Sequence, residues 1–371
     1  MKKAEGKFLR KKPEEKKNPL KITAIVLSSL AALLVLTAVG VGIFVWYSGS
    51  LHGGMFASRG SVSDTLPQAD AGPTDTAPET QPPIIADWID EDGSAYNYRD
   101  DVISILLMGI DYMNDESKWF YETESNGGNA DVLCLVVLDT TTFDFSILYI
   151  PRDTMADVIA MDANGKYLDT TFTNISTAHS YGDGKDLSCR LTTDAVSRLL
   201  CGAPVSRYAA LDYNALSTLN DLLGGLTVTF DQDYTDVNRA YTRGNTVTLN
   251  RRAMSTFITY RNENDLEGAY NRGMRSMLVL RAMFDQCKGK ILENPSVALD
   301  YYNGLKEYLT TDLTLTEITY LARNMGNMNF GSDTIVRLPG ETMMGERYAE
   351  FYPDETWIHD FVVERFCVPA T

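Results

Sequence analysis

The segment Ile103-Ser-Ile-Leu-Leu-Met-Gly-Ile-Asp111 is the first of three apolar runs, and it ends on a carboxylate. The second run, Asp131-Val-Leu-Cys-Leu-Val-Val-Leu138, begins on a carboxylate, and the third, Phe145-Ser-Ile-Leu-Tyr-Ile-Pro-Arg-Asp153, ends on an arginine and an aspartate. Short runs so rich in Val, Ile and Leu are typical of strands that are covered on both faces. They predict the middle of a sheet, with charged residues at the strand ends where a functional site is expected.

Helix-like and strand-like patterns alternate along the rest of the chain. Strands are predicted at residues 226–230 and 334–338, and residues 157–186 are predicted to be irregular. Helices are predicted from Thr192 or Thr193 to Leu200 and at residues 213–223, 249–261, 271–288, 295–309, 315–324 and 354–366. This pattern predicts an α/β (α+β layered) fold, in which a central, mostly buried mixed sheet is flanked by helices.

Charge is distributed unevenly along the 371 residues. Residues 1–21 contain nine of the 33 Lys and Arg residues but only three of the 50 Asp and Glu residues. Residues 22–47 contain no charged side chain, and a helix of that length reaches roughly 39 Å, enough to cross a bilayer. A cleaved signal peptide is the alternative, but its apolar core is only about 7 to 15 residues long. The longer run favours an uncleaved anchor, and the basic residues before it predict a cytoplasmic N-terminus.

Composition divides the chain into five predicted parts. Residues 1–21 are a basic cytoplasmic tail, and residues 22–47 are a transmembrane signal anchor at the cell membrane. Residues 48–97, rich in Ser, Gly, Thr and Pro at their start, are predicted to be a disordered, extracytoplasmic tether. Residues 98–290 hold the three apolar runs and form the main domain, and residues 291–371 are an α/β extension packed on or beside it.

Several chemistries are disfavoured by what the sequence contains. The three histidines, His52, His179 and His359, lie too far apart in sequence for a zinc motif, and a catalytic triad would depend on a single one of them. No glycine-rich nucleotide motif is present, and the acidic main domain is a poor binder of nucleic acid. The five cysteines form no CxxC motif, so no disulfide framework is indicated, although a bridge between Cys189 and Cys201 is considered.

Acids and arginines remain as candidates for chemistry. Arg272 and Arg275 share one face at the start of a predicted helix, and their guanidinium groups suit phosphate oxygens. Asp111 and Asp131, at strand ends, are suited to Mg²⁺, which takes one or two carboxylates. Together with Arg152 and Arg261 these residues predict a pyrophosphate site. The alternative is that the arginines only pair with surplus surface acids.

The chain resembles the LytR-CpsA-Psr (LCP) family, also described as carrying a cell envelope-related transcriptional attenuator domain. The resemblance covers residues 101–290. It rests on Ile105-Leu-Leu-Met-Gly-Ile-Asp111, Ala130-Asp-Val-Leu-Cys-Leu-Val136, Ser146-Ile-Leu-Tyr-Ile-Pro-Arg-Asp-Thr154, Leu222-Leu-Gly-Gly-Leu-Thr-Val228, Phe257-Ile-Thr-Tyr-Arg261 and Arg272-Gly-Met-Arg275.

The resemblance implies an extracytoplasmic phosphotransferase of the cell envelope. Such proteins move a glycopolymer from a polyprenyl pyrophosphate carrier to peptidoglycan and leave polyprenyl phosphate. By the same resemblance, Asp111 and Asp131 are the metal carboxylates. Four arginines match those that hold the pyrophosphate: Arg152, Arg261, Arg272 and Arg275. Asp111, Asp131, Arg152 and Arg261 are then the expected catalytic residues.

The sequence also departs from the family pattern. Met113, Asn129 and Thr259 stand where the family usually has arginine, and Ser276 replaces a glutamine. Losing one charge-assisted phosphate contact typically costs about 1.5 to 3 kcal/mol. These departures support an alternative, a non-catalytic module that binds polyprenyl phosphate or a wall polymer without transferring it.

Overall fold

The computed structural model describes residues 87–90, 92–111, 127–162, 166–260, 268–294, 296–328, 334–346 and 348–370. The strands are β1 (Trp88–Ile89), β2 (Ala95–Tyr98), β3 (Val102–Asp111), β4 (Asn129–Asp139), β5 (Phe145–Ile150), β6 (Met155–Met161), β7 (Tyr167–Asn174), β8 (Arg207–Asp212), β9 (Leu226–Thr229), β10 (Thr246–Leu249), β11 (Leu309–Thr311), β12 (Ile335–Arg337), β13 (Gly340–Met344), β14 (Ala349–Pro353) and β15 (Cys367–Pro369). The helices are α1 (Asp186–Leu199), α2 (Tyr213–Leu223), α3 (Arg251–Thr259), α4 (Gly268–Glu293), α5 (Val297–Leu305), α6 (Leu315–Asn324) and α7 (Glu355–Phe366), and a 3₁₀ helix spans Ile175–Tyr181.

The N-terminal parts of the prediction lie largely outside these residues. They include the basic tail, the predicted span at residues 22–47 and most of the predicted tether. The last part of the predicted tether is folded, since β1 and β2 begin at Trp88. The Trp88 ring stacks on Tyr96 of β2 and packs beside His359 of α7. Within the described ranges, no helix has both the length and the apolar composition needed to cross a membrane.

A six-stranded mixed sheet lies at the centre, in the order β11-β8-β3-β4-β5-β12. β3, β4 and β5, the three apolar runs, occupy its middle and pair antiparallel. β8 runs parallel to β3, and β12 runs parallel to β5. The three predicted strands and the mixed sheet are therefore confirmed. Strands buried on both faces need apolar residues at nearly every position, which explains their lack of polar alternation.

Helices cover both faces of the sheet. Ile105, Leu107 and Cys134 point to one core, which includes residues of α2 to α6. Leu106 and Leu135 point to a second core, which includes residues of α1 and α7. Alternate residues of each central strand thus enter different cores, as the pleat requires.

The chain after residue 290 contributes both edge strands of the central sheet, β11 and β12. A buried ion pair adds to this connection, because the Arg207 side chain of β8 donates from Nε to Oε1 of Glu317 in α6 at 2.8 Å. Glu317 also caps its own helix, since its Oε2 accepts from the backbone N–H of Thr314 at 2.6 Å. A residue of the predicted extension therefore holds a charged side chain of the central sheet.

Two local predictions are wrong, and one disulfide that the sequence left open does not form. Residues 157–186 are not irregular, because β6 and β7 form an antiparallel hairpin there. The helix predicted from Thr192 or Thr193 begins at Asp186, and Thr192 lies inside it, where its hydroxyl donates to the carbonyl of Ser188 at 2.8 Å. Cys189 and Cys201 are both free thiols, Cys189 buried and Cys201 exposed, so they form no bridge.

Candidate active site

Asp131 lies at a break in the ladder between β3 and β4. Gly109 of β3 pairs with Val132, but the next residue, Ile110, pairs with Ala130, so Asp131 is the extra residue of a β-bulge. A bulge turns a side chain away from the regular alternation and is common beside active sites. The bulge is therefore the local feature that sets the direction of this carboxylate.

Arg152 lies in a turn immediately after β5. The N–H of Thr154 donates to the carbonyl of Pro151 at 3.0 Å, and its hydroxyl donates to the same oxygen at 2.6 Å. The carbonyl of Arg152 accepts from the N–H of Ser176 at 3.2 Å. The backbone that carries Arg152 is fixed by Pro151, by Thr154 and by these hydrogen bonds.

Asp131 and Arg152 meet because of the register of β4 and β5. The last ladder pair joins Leu133 to Ile150. The same antiparallel register brings Asp131, two residues before Leu133, opposite Arg152, two residues after Ile150. Their side chains form an ion pair through Asp131 Oδ1 and Arg152 Nη1. Asp153 contacts Arg152 Nε at 3.3 Å and accepts from the side-chain amide of Asn174 at 3.3 Å.

Arg272 completes the cluster from α4. It is only 8% exposed, and its charge interacts with Asp131, Arg152, Tyr149 and Asp153. Burial lowers the pKa of Arg272, an effect that the Asp131 carboxylate opposes, and a guanidinium stays charged despite such a shift. Burial raises the pKa of Asp131, although Arg152 and Arg272 both favour its ionised form. We call Asp131, Arg152 and Arg272 the charged cluster.

Arg275 lies near Arg272 but contacts α3. Its Nε donates to the carbonyl of Phe257 at 2.8 Å, and its Nη2 donates to the carbonyl of Tyr260. Its guanidinium also lies over the Tyr260 ring, 5.7 Å from the centroid. The last carbonyls of a helix lack internal partners, so Arg275 acts here as a cap on the C-terminus of α3.

Two predicted site residues fall beyond what the structure describes. Arg261 is outside the described ranges, and for Asp111 only the backbone is described, paired with Asn129 across β3 and β4. The predicted Mg²⁺ ligands are therefore represented by Asp131 alone. Its Oδ1 pairs with Arg152, whereas its buried Oδ2 has no hydrogen-bond partner among the described residues, and such an oxygen fits a hard cation. In the described part of the chain no group of three or more His, Cys, Asp or Glu residues could hold a metal.

His179 contacts the backbone just before the start of β4. It is buried, and its Nδ1 lies 2.7 Å from the carbonyl oxygen of Gly127, as expected for a donor there. The thiol of Cys189 lies 3.8 Å from Nε2. Burial lowers the pKa of His179 to about 4 and raises that of Cys189 well above its ordinary value. Both groups are therefore neutral, and they position the chain near Asp131 rather than act as a nucleophilic pair.

Three residues beside the charged cluster were not among the predicted site residues. Asp153 lies next to Arg152, and the Pro-Arg-Asp-Thr turn was a usable signal for it. Tyr149 interacts electrostatically with Arg272 of the cluster and with Arg337. Arg337 lies in a strand that pairs with β5 only in three dimensions, and no local sequence pattern marks it.

Comparison with known proteins gives the family. A profile of the LytR_cpsA_psr family matches residues 76–361. The polyisoprenyl-teichoic acid--peptidoglycan teichoic acid transferase TagU of Bacillus mycoides is 23% identical over 243 residues, 66% of this chain and 70% of that protein. The corresponding transferase TagV of Bacillus subtilis is 28% identical over 207 residues, 52% of this chain and 48% of that protein. The crystal structure of B. subtilis TagV has the same fold, with a TM-score of 0.52 and 23% identity over 71% of this chain and 97% of that one. Because the profile match covers most of the chain, this protein belongs to the LytR-CpsA-Psr family.

Proposed function

We propose that this chain is a membrane-anchored, extracytoplasmic phosphotransferase that moves a glycopolymer from a polyprenyl pyrophosphate carrier to peptidoglycan. Its relatives are named as transferases that act between polyisoprenyl-teichoic acid and peptidoglycan. The observation that carries the proposal is the charged cluster, in which two guanidinium groups meet a buried carboxylate at the ends of two central strands. The predicted span at residues 22–47 supports the anchor and the location.

The proposed reaction exchanges one phosphoester partner for another. A hydroxyl of the acceptor forms a bond to the phosphorus that carries the glycopolymer. The P–O bond to the polyprenyl phosphate breaks, polyprenyl phosphate leaves, and the hydroxyl proton passes to solvent or a base. Phosphoryl transfer depends mainly on positioning and charge stabilisation. Arg152 and Arg272 hold the pyrophosphate oxygens and offset their charge, and Asp131 keeps both guanidinium groups in position.

Mg²⁺ is part of the proposal through Asp131 and Asp111. When bound, the ion would neutralise charge on phosphate oxygens. Asp131 Oδ2, the carboxylate oxygen that does not pair with Arg152, fits this role.

The proposal is tested with the full-length chain in detergent, a polyprenyl pyrophosphate saccharide, an acceptor and Mg²⁺. Wild type is expected to release polyprenyl phosphate, and Arg152→Ala to lower the rate by roughly 10² to 10³ fold, as loss of one transition-state donor does. Arg251→Ala is the matched control, because Arg251 forms an exposed ion pair with Asp221, and it should release product at the wild-type rate. Equal rates for wild type and Arg152→Ala would contradict the proposal.

A second candidate is the non-catalytic binding module. The contacts of Arg275 with the carbonyls of α3 favour it, because they remove one expected cation from the phosphate. This candidate predicts that wild type binds a prenyl pyrophosphate but releases no polyprenyl phosphate under any acceptor condition.

A further inference from the structure

Tyr149 is a buried phenol at the end of β5, three residues before Arg152. Its side chain faces the core under α4 and is 5% exposed. In the sheet it pairs with Cys134 of β4 on one side and with Arg337 of β12 on the other. A polar group therefore lies at the end of a largely apolar core, and Arg272 of the charged cluster is one of its charged neighbours.

Gly273 of α4 makes room for this phenol. A β-carbon at Gly273 would lie 2.3 Å from the Tyr149 hydroxyl oxygen and 2.7 Å from its Cζ atom. Contacts that short do not occur between real atoms, so any side chain at this position would displace the ring. The tyrosine and the glycine are thus mutually fitted, and Arg272 is the residue next to that glycine.

The phenol shares one charged neighbour, Arg272, with the charged cluster. Its ionisation is affected by Arg272, Asp153 and Arg337. Burial raises the pKa of Tyr149 to about 12, so the hydroxyl keeps its proton and can donate it in a hydrogen bond.

We propose that Tyr149 is a substrate-positioning residue of this site, whose hydroxyl donates a hydrogen bond to an oxygen of the pyrophosphate held by Arg152 and Arg272. This inference rests on the proposed function. Arginines supply charge to a phosphate from several directions, whereas a rigid phenol supplies a single directed donor. Tyr149 would thereby fix the orientation of the pyrophosphate relative to Arg272, and Gly273 is the residue that permits this contact.

The test measures binding of farnesyl pyrophosphate and of farnesol to the full-length chain in detergent. Tyr149→Phe keeps the ring and removes the hydroxyl, so it should weaken farnesyl pyrophosphate binding roughly tenfold or more and leave farnesol binding unchanged. Tyr208→Phe is the matched control, because the Tyr208 hydroxyl donates to Asp186 and belongs to the other core. It should change neither affinity.

The outcomes separate this inference from the proposed function. Equal affinity of wild type and Tyr149→Phe for farnesyl pyrophosphate would overturn the role of Tyr149 and leave the proposed function standing. A parallel loss for farnesol would also overturn it, because the effect would then come from packing. If wild type itself binds no prenyl pyrophosphate, both the proposed function and this inference fail.

Discussion

At the scale of single residues, the site depends on small departures from regular structure. Asp131 reaches Arg152 and Arg272 because β4 contains one extra residue opposite Gly109. Tyr149 fits under α4 because position 273 has no side chain. Each departure places a polar group at the edge of an apolar core, where charge interactions are stronger than in water.

Gly273→Ala tests the fit between α4 and β5. The added methyl group would collide with the Tyr149 ring, and overpacking of this kind costs about 1 to 3 kcal/mol in the free energy of unfolding. Gly289→Ala, in the same helix, is the control, because a β-carbon there meets nothing within 4 Å. It should be neutral or stabilise by up to about 1 kcal/mol. Denaturant unfolding measures both, and equal effects would show that the contact with Tyr149 is not tight.

His179 predicts a pH dependence of stability. Its pKa is about 4 in the folded protein against an ordinary 6.5, so the unfolded chain takes up the proton first as the pH falls. The contribution of the neutral imidazole to stability is therefore full above pH 6.5 and is lost as the pH falls from 6.5 towards 4, by at most about 3 kcal/mol. His179→Asn keeps a donor for Gly127 without titrating. Unfolding measured against pH should be flatter for this variant, and identical slopes would contradict the assignment.

At the scale of elements, the Arg275 side chain connects α4 to the C-terminal end of α3 by hydrogen bonds. Arg275 of α4 satisfies carbonyls at the end of α3, which otherwise would need water or a cap. The connection fixes the start of α4, where Arg272 lies. Arg275 thus contributes to the site through the position of its helix.

Arg275→Ala should loosen the end of α3. Loss of hydrogen bonds from a charged group is expected to cost about 2 to 3 kcal/mol, and amide exchange should accelerate in residues 257–260. Arg251→Ala removes an exposed ion pair at the other end of α3 and should cost no more than about 0.5 kcal/mol. Unchanged exchange in α3 together with lost pyrophosphate binding would instead place Arg275 in the phosphate site.

The sequence predicted the middle of the sheet because β3, β4 and β5 are apolar at nearly every position. It did not predict β7, because Tyr167–Asn174 is largely exposed and rich in Thr, so no burial pattern marks it. In the site, strand ends identified Asp131 and Arg152. The bulge at Asp131 and the cap made by Arg275 depend on register and on a neighbouring helix, which no local pattern contains.

At the scale of the whole molecule, the C-terminal residues complete the central sheet. β11 and β12 form its two edges, and Glu317 is the buried partner of Arg207. β12 comes from a distant part of the chain and pairs with β5, the strand that leads to Arg152. The site therefore requires the chain well beyond residue 290.

Glu317→Ala should destabilise the whole sheet domain. It leaves the Arg207 guanidinium buried without its partner, which typically costs 3 to 5 kcal/mol. Asp221→Ala, which breaks the exposed pair with Arg251, should cost no more than about 0.5 kcal/mol. A single thermal transition that shifts for Glu317→Ala is expected. A separate early transition with the main one unchanged would mean that the C-terminal residues unfold independently.

The most direct test of the account is the stoichiometry of transfer. The full-length chain is incubated with a polyprenyl pyrophosphate saccharide, labelled in the sugar and in the lipid, together with peptidoglycan and Mg²⁺. We expect one polyprenyl phosphate released for each saccharide attached through a phosphodiester, and both products formed roughly 10² to 10³ fold more slowly with Arg152→Ala or Arg272→Ala. Release of polyprenyl pyrophosphate, or attachment at the wild-type rate by both variants, would contradict the proposed role of the charged cluster.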